Sequence, residues 1–244
     1  MRILLTISYD GTDFCGYQIQ PNGRTVEETL NVAIEKLTGE SVKSVASGRT
    51  DSGVHALSQK VHFDTEFKIP PEKFANALNP LLPPDVKVIK SQKVSDSFHV
   101  RYSAKRKTYR YSMVVGNIER PLETRYKTLI PTMPDISLMK EGAKLIEGEH
   151  DFKCFLASGS SVKDTVRTVY SIKIIKKGRN LDFYVTGNGF LYNMVRMIAG
   201  ALVAVGEKRL SLTELKEIIL SGDRKNKVKT MQAKGLTLYS VIYK

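Results

Sequence analysis

The sequence predicts an α+β protein built from two successive subdomains. Segments with period-two alternation and segments with apolar residues at helical spacing are interleaved in two consecutive sets. Several of the strands are separated by short turn signals such as "KKGRN", as antiparallel hairpins require. A chain of 244 residues has room for two cores of roughly 100 to 150 residues without a flexible linker. The boundary is placed near Ser103, giving residues 1–103 and 104–244.

The first set opens with "RILLTISY", where Ile3, Leu5 and Ile7 alternate with Leu4, Thr6 and Ser8 as in a partly buried strand. In "TVEETLNVAIEKLTG", Thr25 is an N-cap with Glu28 three residues on. Val26, Leu30, Ala33, Ile34 and Leu37 fall at helical spacing, and Gly39 ends the helix. "KSVASGRT" and "SQKVHFDTEF" read as strands, and a helix is predicted from Pro71 to about Leu78, with proline tolerated in its first turn. "DVKVIKSQKV" closes the set as a strand.

The second set begins with "TYRYSMVVG" and continues through "TVRTVYSIKII" and "LDFYVTGNGF", all strand-like. Two helices complete it. "NMVRMIAGALVAVG" places Val195, Ile198, Ala199, Leu202 and Val203 on one face; the other starts at Ser211, with Glu214 as a capping box, and runs on Leu215, Ile218 and Ile219. "LTLYSVIY" is the last strand.

Charge narrows the partner class. Lys and Arg number 38 against 25 Asp and Glu, a net +13, with a pI near 9.6. Such a surface attracts polyanions, and nucleic acid is favoured over a basic protein with no such partner. An acidic membrane is disfavoured because no polybasic block adjoins an apolar anchor. No apolar run reaches the ~18 residues of a membrane span, and Tyr9, Asp10 and Asp13 interrupt the N-terminus before any cleavage site, so the expected location is the cytoplasm. Cys15 and Cys154 lie far apart and form no CxxC pair, which argues against a zinc site and against a secreted disulfide framework.

"FHVRYSAKRKTYRY", residues 98–111, mixes Arg101, Lys105, Arg106, Lys107 and Arg110 with Phe98, Tyr102, Tyr109 and Tyr111. Cations hold phosphates while aromatic faces stack on unpaired bases; the same pattern also fits a charged loop running into a core strand. There is no phosphate loop, HExxH or GxSxG, and "GNGFLY" falls short of GxGxxG at Tyr192. His55, His62, His99 and His150 have no metal-ligand spacing.

What remains is Asp51 in "SGRTDSGVHA", which composition leaves open between turn residue and reagent. The string resembles the tRNA pseudouridine synthase A family. So, in the family's order, do "ISYDGTDFCGYQIQ", "RTVEETLNVAIEKLTG", "VHF", "FHVRYSAKRKTYRY", "GEHDF", "TVRTVYS", "GFLYNMVRMIAG" and "KGLTLYSVIY". The resemblance implies a homodimer of two RRM-like (ferredoxin-like) α/β halves whose antiparallel sheets flank a basic cleft. The implied reaction turns uridines 38, 39 and 40 of the tRNA anticodon stem-loop into pseudouridine, with neither cofactor nor metal.

In that reading Asp51 is the essential carboxylate, and three routes stay open: addition to the uracil ring, attack on the ribose, or service as base in forming a glycal. Arg196 matches the arginine that pairs with the aspartate and favours its ionised form; without the family match it would read as snorkelling to solvent. Tyr109 matches the active-site tyrosine, whose ring stacks on the target uracil and whose hydroxyl is expected to assist proton transfer, leaving Tyr111 to the core. Arg49 matches an arginine that helps displace the target nucleotide, and His55, Phe98, His99 and Arg101 fall in stretches that contact RNA. Arg24 is assigned a capping-region or phosphate role, and Gly48 and Gly53 are expected to turn the backbone sharply around Asp51. One departure is Tyr17, where the family often has tryptophan. Two rival readings remain: a non-catalytic tRNA-binding or folding protein, and a synthase of the same family acting on other uridines.

Overall fold

The computed structural model describes residues 1–159, 162–224 and 227–243. Over these residues the chain is a mixed α/β protein with ten strands and five α-helices. It divides into two compact units. One comprises Met1–Lys105 and the final strand from Thr237; the other is Arg106–Leu236.

In the first unit, β1 (Arg2–Tyr9) is flanked by two antiparallel partners, β3 (His55–Asp64) and β4 (Val86–Val94). A short β2 (Val45–Ala46) pairs with β3, and the last strand, β10 (Leu236–Ile242), runs parallel to the start of β3 through Thr237 and Leu238. The sequence assigns residues after 103 to the second subdomain, whereas this pairing places the final strand with the first. Ile3, Leu5 and Ile7 are fully buried, as alternation requires. Leu4, on the other face, is buried as well. It sits opposite His62, whose Nδ1 accepts from Val100 N, and Arg2 next to it donates to the Asp96 and Phe98 carbonyls, so the 96–100 segment is drawn across that end of the sheet.

Helix α1 (Val26–Thr38) has the predicted caps: Thr25 Oγ1 accepts from Glu28 N at 3.4 Å, and Gly39 closes the C-terminus at φ +74°. The helix predicted from Pro71 splits. Pro71–Lys73 is a 3₁₀ turn, α2 is Phe74–Leu78, and Asn79–Leu81 is again 3₁₀ because Pro80 has no N–H to continue the α ladder. Phe74 meets Phe63 of β3 edge-on at 5.7 Å, which ties α2 to the sheet.

In the second unit the sheet order is β5 (Arg106–Val115), β9 (Asn180–Gly187), β8 (Val166–Lys177) and β7 (Gly148–Asp151), all antiparallel, with β6 (Thr128–Ile130) parallel to β5. Two helices were expected here and three are present. The additional one is α3 (Ile136–Ile146), capped by the Asp135 carboxylate, which accepts from Ser137 N and Leu138 N. Helix α4 (Met194–Gly206) was expected to bury one face; every residue of it except Arg196 is buried. It packs on β5 and α3, and Gly200 lets the Lys229 carbonyl approach so closely that a Cβ would lie 2.0 Å from it. Helix α5 (Leu212–Ser221) carries the predicted Ser211–Glu214 capping box.

Candidate active site

Asp51 lies on the loop between β2 and β3, and that loop is fixed by its neighbours rather than by its own turn. Ser47 and Gly48, on its first limb, are held by Gln59 of β3: Ser47 Oγ donates to Gln59 Oε1 at 2.6 Å, and Gln59 Nε2 donates to Gly48 O at 2.7 Å. Thr50, just before Asp51, is held by Tyr9 OH to its Oγ1 at 2.8 Å and by Tyr17 N to its carbonyl at 3.0 Å. Past the aspartate, Ser52 Oγ donates to Phe14 O, and Val54 N returns to Asp51 O at 3.1 Å to close the turn. Gly53 adopts φ +75°, the left-handed conformation expected of it; Gly48 does not, so one glycine rather than two makes the reversal. Asp51 is half-buried and Arg49 exposed.

The predicted strand over residues 43–50 contracts to Val45–Ala46: Ser47 N still bonds Lys60 O, and beyond it the Gly48 carbonyl turns to Gln59 Nε2. Beneath the loop runs the chain from Asp10 to Tyr17. A Cβ on Gly11 would lie 2.0 Å from the Val54 carbonyl oxygen, and one on Gly16 would lie 2.9 Å from that of Thr50. These two glycines let the loops touch backbone to backbone, and no periodicity in the sequence marks them.

His55, expected to contact RNA, is buried at the start of β3. Its Nδ1 lies 3.0 Å from Gly11 N and 3.1 Å from Asp10 Oδ1, which ties the ring to the Asp10–Gly11 segment beneath the loop. Among the exposed or half-buried residues of the 96–103 segment, Phe98 packs on Tyr243 at 5.0 Å, and Tyr243 OH donates to Val100 O. His99 Nδ1 accepts from the Arg101 and Tyr102 amides while its ring stacks on Tyr102 at 4.3 Å. Phe98 and His99 thus shape the segment that presents the exposed side chains of Arg101 and Tyr102. Arg24, offered a phosphate role by the sequence, instead makes a two-pronged ion pair with Asp85 and covers the Phe14 ring at 4.1 Å.

On the second unit, Tyr109 projects from β5 opposite Val185 and is 8% exposed. Phe190 meets it edge-on at 5.3 Å. Gly187 has no Cβ because one would lie 2.8 Å from Thr168 O and 3.1 Å from the Phe190 ring. Tyr111 is wholly buried, with its hydroxyl donating to Gln232 O and bonded to Thr128 Oγ1; burial pushes its pKa above the usual phenol range, and the Arg196 charge offsets part of this. Arg196, in the first turn of α4, is steered by two acceptors: Nε donates to Met231 O at 2.6 Å and Nη1 to Asn193 Oδ1 at 2.5 Å. Asn193 itself stands at φ +61°, a conformation asparagine tolerates.

A groove beside α5 lined by Glu214, Glu217 and Asp223 has the wrong sign for a polyanion. Among the described residues no three His, Cys, Asp or Glu side chains are grouped as metal ligands, and no helix is long and apolar enough to cross a membrane.

A family model described as tRNA pseudouridine synthase matches residues 5–103 and 143–244. The chain belongs to this family. A Bacillus licheniformis relative named tRNA pseudouridine synthase A is 44% identical over 245 residues, spanning 100% of this chain and 99% of the relative. Relatives of the same name from Thermoanaerobacter sp. (strain X514) and Clostridium acetobutylicum are 44% and 41% identical, each over 242 residues and 99% of both chains. A chain of a solved Cbf5-Nop10-Gar1 complex is far more distant, with a TM-score of 0.35 at 16% identity over 82% of this chain and 54% of that one.

Proposed function

We propose that this chain converts uridine to pseudouridine in tRNA, at positions 38, 39 and 40 of the anticodon stem-loop, as a cytoplasmic homodimer of RRM-like halves. Family membership and matching relatives along the full chain support the reaction. The observation that carries the assignment of chemistry to Asp51 is its loop, tied by backbone carbonyls to Gln59 and Tyr17 and by the Thr50 and Ser52 side chains to Tyr9 and Phe14, on both sides of the aspartate. Hydrogen bonds made on folding thus fix where the carboxylate sits before substrate arrives, so orienting it costs nothing further at the moment of reaction.

The isomerisation breaks the N1–C1′ bond, turns the uracil, joins C5 to C1′ and releases the C5 proton to water while N1 takes up a proton, so composition is unchanged and no electrons are consumed or yielded. Asp51 in its ionised form starts the reaction at the base or the ribose. We assign Arg196 a catalytic role, its guanidinium oriented by Asn193 and Met231. Tyr109, its ring fixed by Phe190, is assigned to stack on the target uracil. Arg49 is exposed and adjacent to the loop's apex, where it holds the opened nucleotide. Arg101 contributes to phosphate attraction.

Incubation with anticodon stem-loop RNA tritiated at C5 of uridine tests this directly. Wild type releases tritium to water, and Asp51→Asn binds the RNA but releases none. Binding without release by wild type would refute the proposed activity, and release by Asp51→Asn would remove Asp51 from the chemistry.

A further inference from the structure

Gln59 is the most out-of-place residue in the first unit. It lies in the middle of β3 opposite Ile7, with no exposed surface, in a stretch where an aliphatic side chain would fill the space without any polar group to satisfy. The amide is instead fully used. Its orientation follows from its partners: the Gly48 carbonyl can only accept and so faces Nε2 at 2.7 Å, while Lys60 N can only donate and so faces Oε1 at 3.1 Å. Ser47 Oγ then donates to the same Oε1 at 2.6 Å. The Tyr9 hydroxyl, bonded to Thr50 Oγ1, is also within reach of the Gln59 side chain, which favours its ionised form slightly against the much larger rise that burial imposes.

Every one of these bonds except that to Lys60 N ends, directly or through Tyr9, on the limb of residues 47–50 that leads to Asp51. Ser47 N is itself fixed to Lys60 O at 2.8 Å, so the limb is joined to β3 at three successive points before it turns. A buried amide that spends its hydrogen bonds on one loop sets the path of that loop, because each partner left unpaired in a dry environment costs free energy.

We infer that Gln59, with Ser47 and Tyr9 as its relays, is the positioning residue for the catalytic loop: it holds Gly48 and Thr50 so that Asp51 and Arg49 meet the nucleotide at one fixed geometry. The inference rests on the assignment of the chemistry to Asp51. Gln59 touches no substrate and acts through the backbone.

Gln59→Met keeps similar volume and removes the amide; Ser47→Ala removes one arm and leaves the rest, so it serves if Gln59→Met does not fold. Tritium release and tRNA affinity are measured for both at temperatures where circular dichroism shows each variant fully folded, with Asp51→Asn alongside. The expected result is a fall in kcat on the order of 10- to 100-fold, as displacement by about 1 Å produces, while the tRNA Kd stays within about twofold. Wild-type kcat in the folded variants, with Asp51→Asn inactive, overturns the positioning role alone, since a merely structural amide lowers Tm and leaves turnover per folded molecule intact. Activity in Asp51→Asn overturns it together with the reading beneath it.

Discussion

Gly11→Ala is the smallest change that tests how closely the catalytic loop is held from below. The new Cβ would lie 2.0 Å from Val54 O and 2.6 Å from Val54 C, where ordinary contact begins near 3.4 Å. The neighbour is backbone and cannot rotate away, so the 10–16 and 50–54 segments must part by more than about 1 Å, as overpacked methyl groups force elsewhere. Hydrogen bonds tie the two sides of that seam, from Gly11 N to His55 Nδ1 at 3.0 Å, from Ser52 Oγ to Phe14 O at 3.1 Å and from Tyr17 N to Thr50 O at 3.0 Å, and the movement strains them. Overpacking costs about 1 to 3 kcal/mol, which lowers Tm by several degrees, and a displacement of about 1 Å at the aspartate lowers turnover on the order of 100-fold. The assay is tritium release under single-turnover conditions with saturating RNA, paired with a thermal melt. Wild-type turnover in a variant with lowered Tm would show that the seam stabilises the unit without setting Asp51, and unchanged Tm and turnover would refute the close approach itself.

Two further outcomes follow from the ionisable groups. The Glu214 carboxylate is held down at about 2 by Lys227 and by the Ser211 amide and hydroxyl. A carboxylate with its folded pKa depressed adds stability above its unfolded value of 4.5, and that stability is lost as pH falls toward 2. The Tm of wild type should therefore exceed that of Glu214→Gln at pH 6 and converge with it by about pH 2; a constant gap across that range would remove the ionised cap as its source. Burial pushes the Cys154 thiol up to about 12, whereas Cys15 is exposed. A thiol reagent at pH 8 should label Cys15 in the native protein and reach Cys154 only after denaturation, and rapid native labelling of Cys154 contradicts its placement in the core.

The elements whose signals are local were legible. Thr25 and Gly39 bound α1, and the Ser211–Glu214 box starts α5, because a cap is a hydrogen bond between residues three or four apart. The hairpin from β8 to β9 and the whole of β1 follow from alternation. Helix α3 carried comparable signals, with Asp135 as cap and Met139, Ala143 and Ile146 at helical spacing, but they follow two prolines, Pro131 and Pro134, that interrupt the strand pattern before them. The all-round burial of α4 was also written in its composition, since Arg196 is the one polar side chain in Met194–Gly206. That same isolation makes the two oxygens around Arg196 necessary: Asn193 is three residues away, but Met231 comes from a segment the pattern does not connect to it.

By itself the sequence determined the α+β class, most strand and helix positions, the affinity for polyanions and, through motifs in a family's order, the candidate residues Asp51, Tyr109 and Arg196. Tertiary structure decided what holds them. It seats His55 under the loop against Gly11, gives Arg24 to Asp85, and pairs β10 with β3. It also brings Gln59 to Gly48 and lays Gly11 against Val54. These contacts join positions far apart along the chain, where periodicity and capping carry no signal. A buried amide or a missing Cβ acquires its purpose only from the neighbour that the fold supplies.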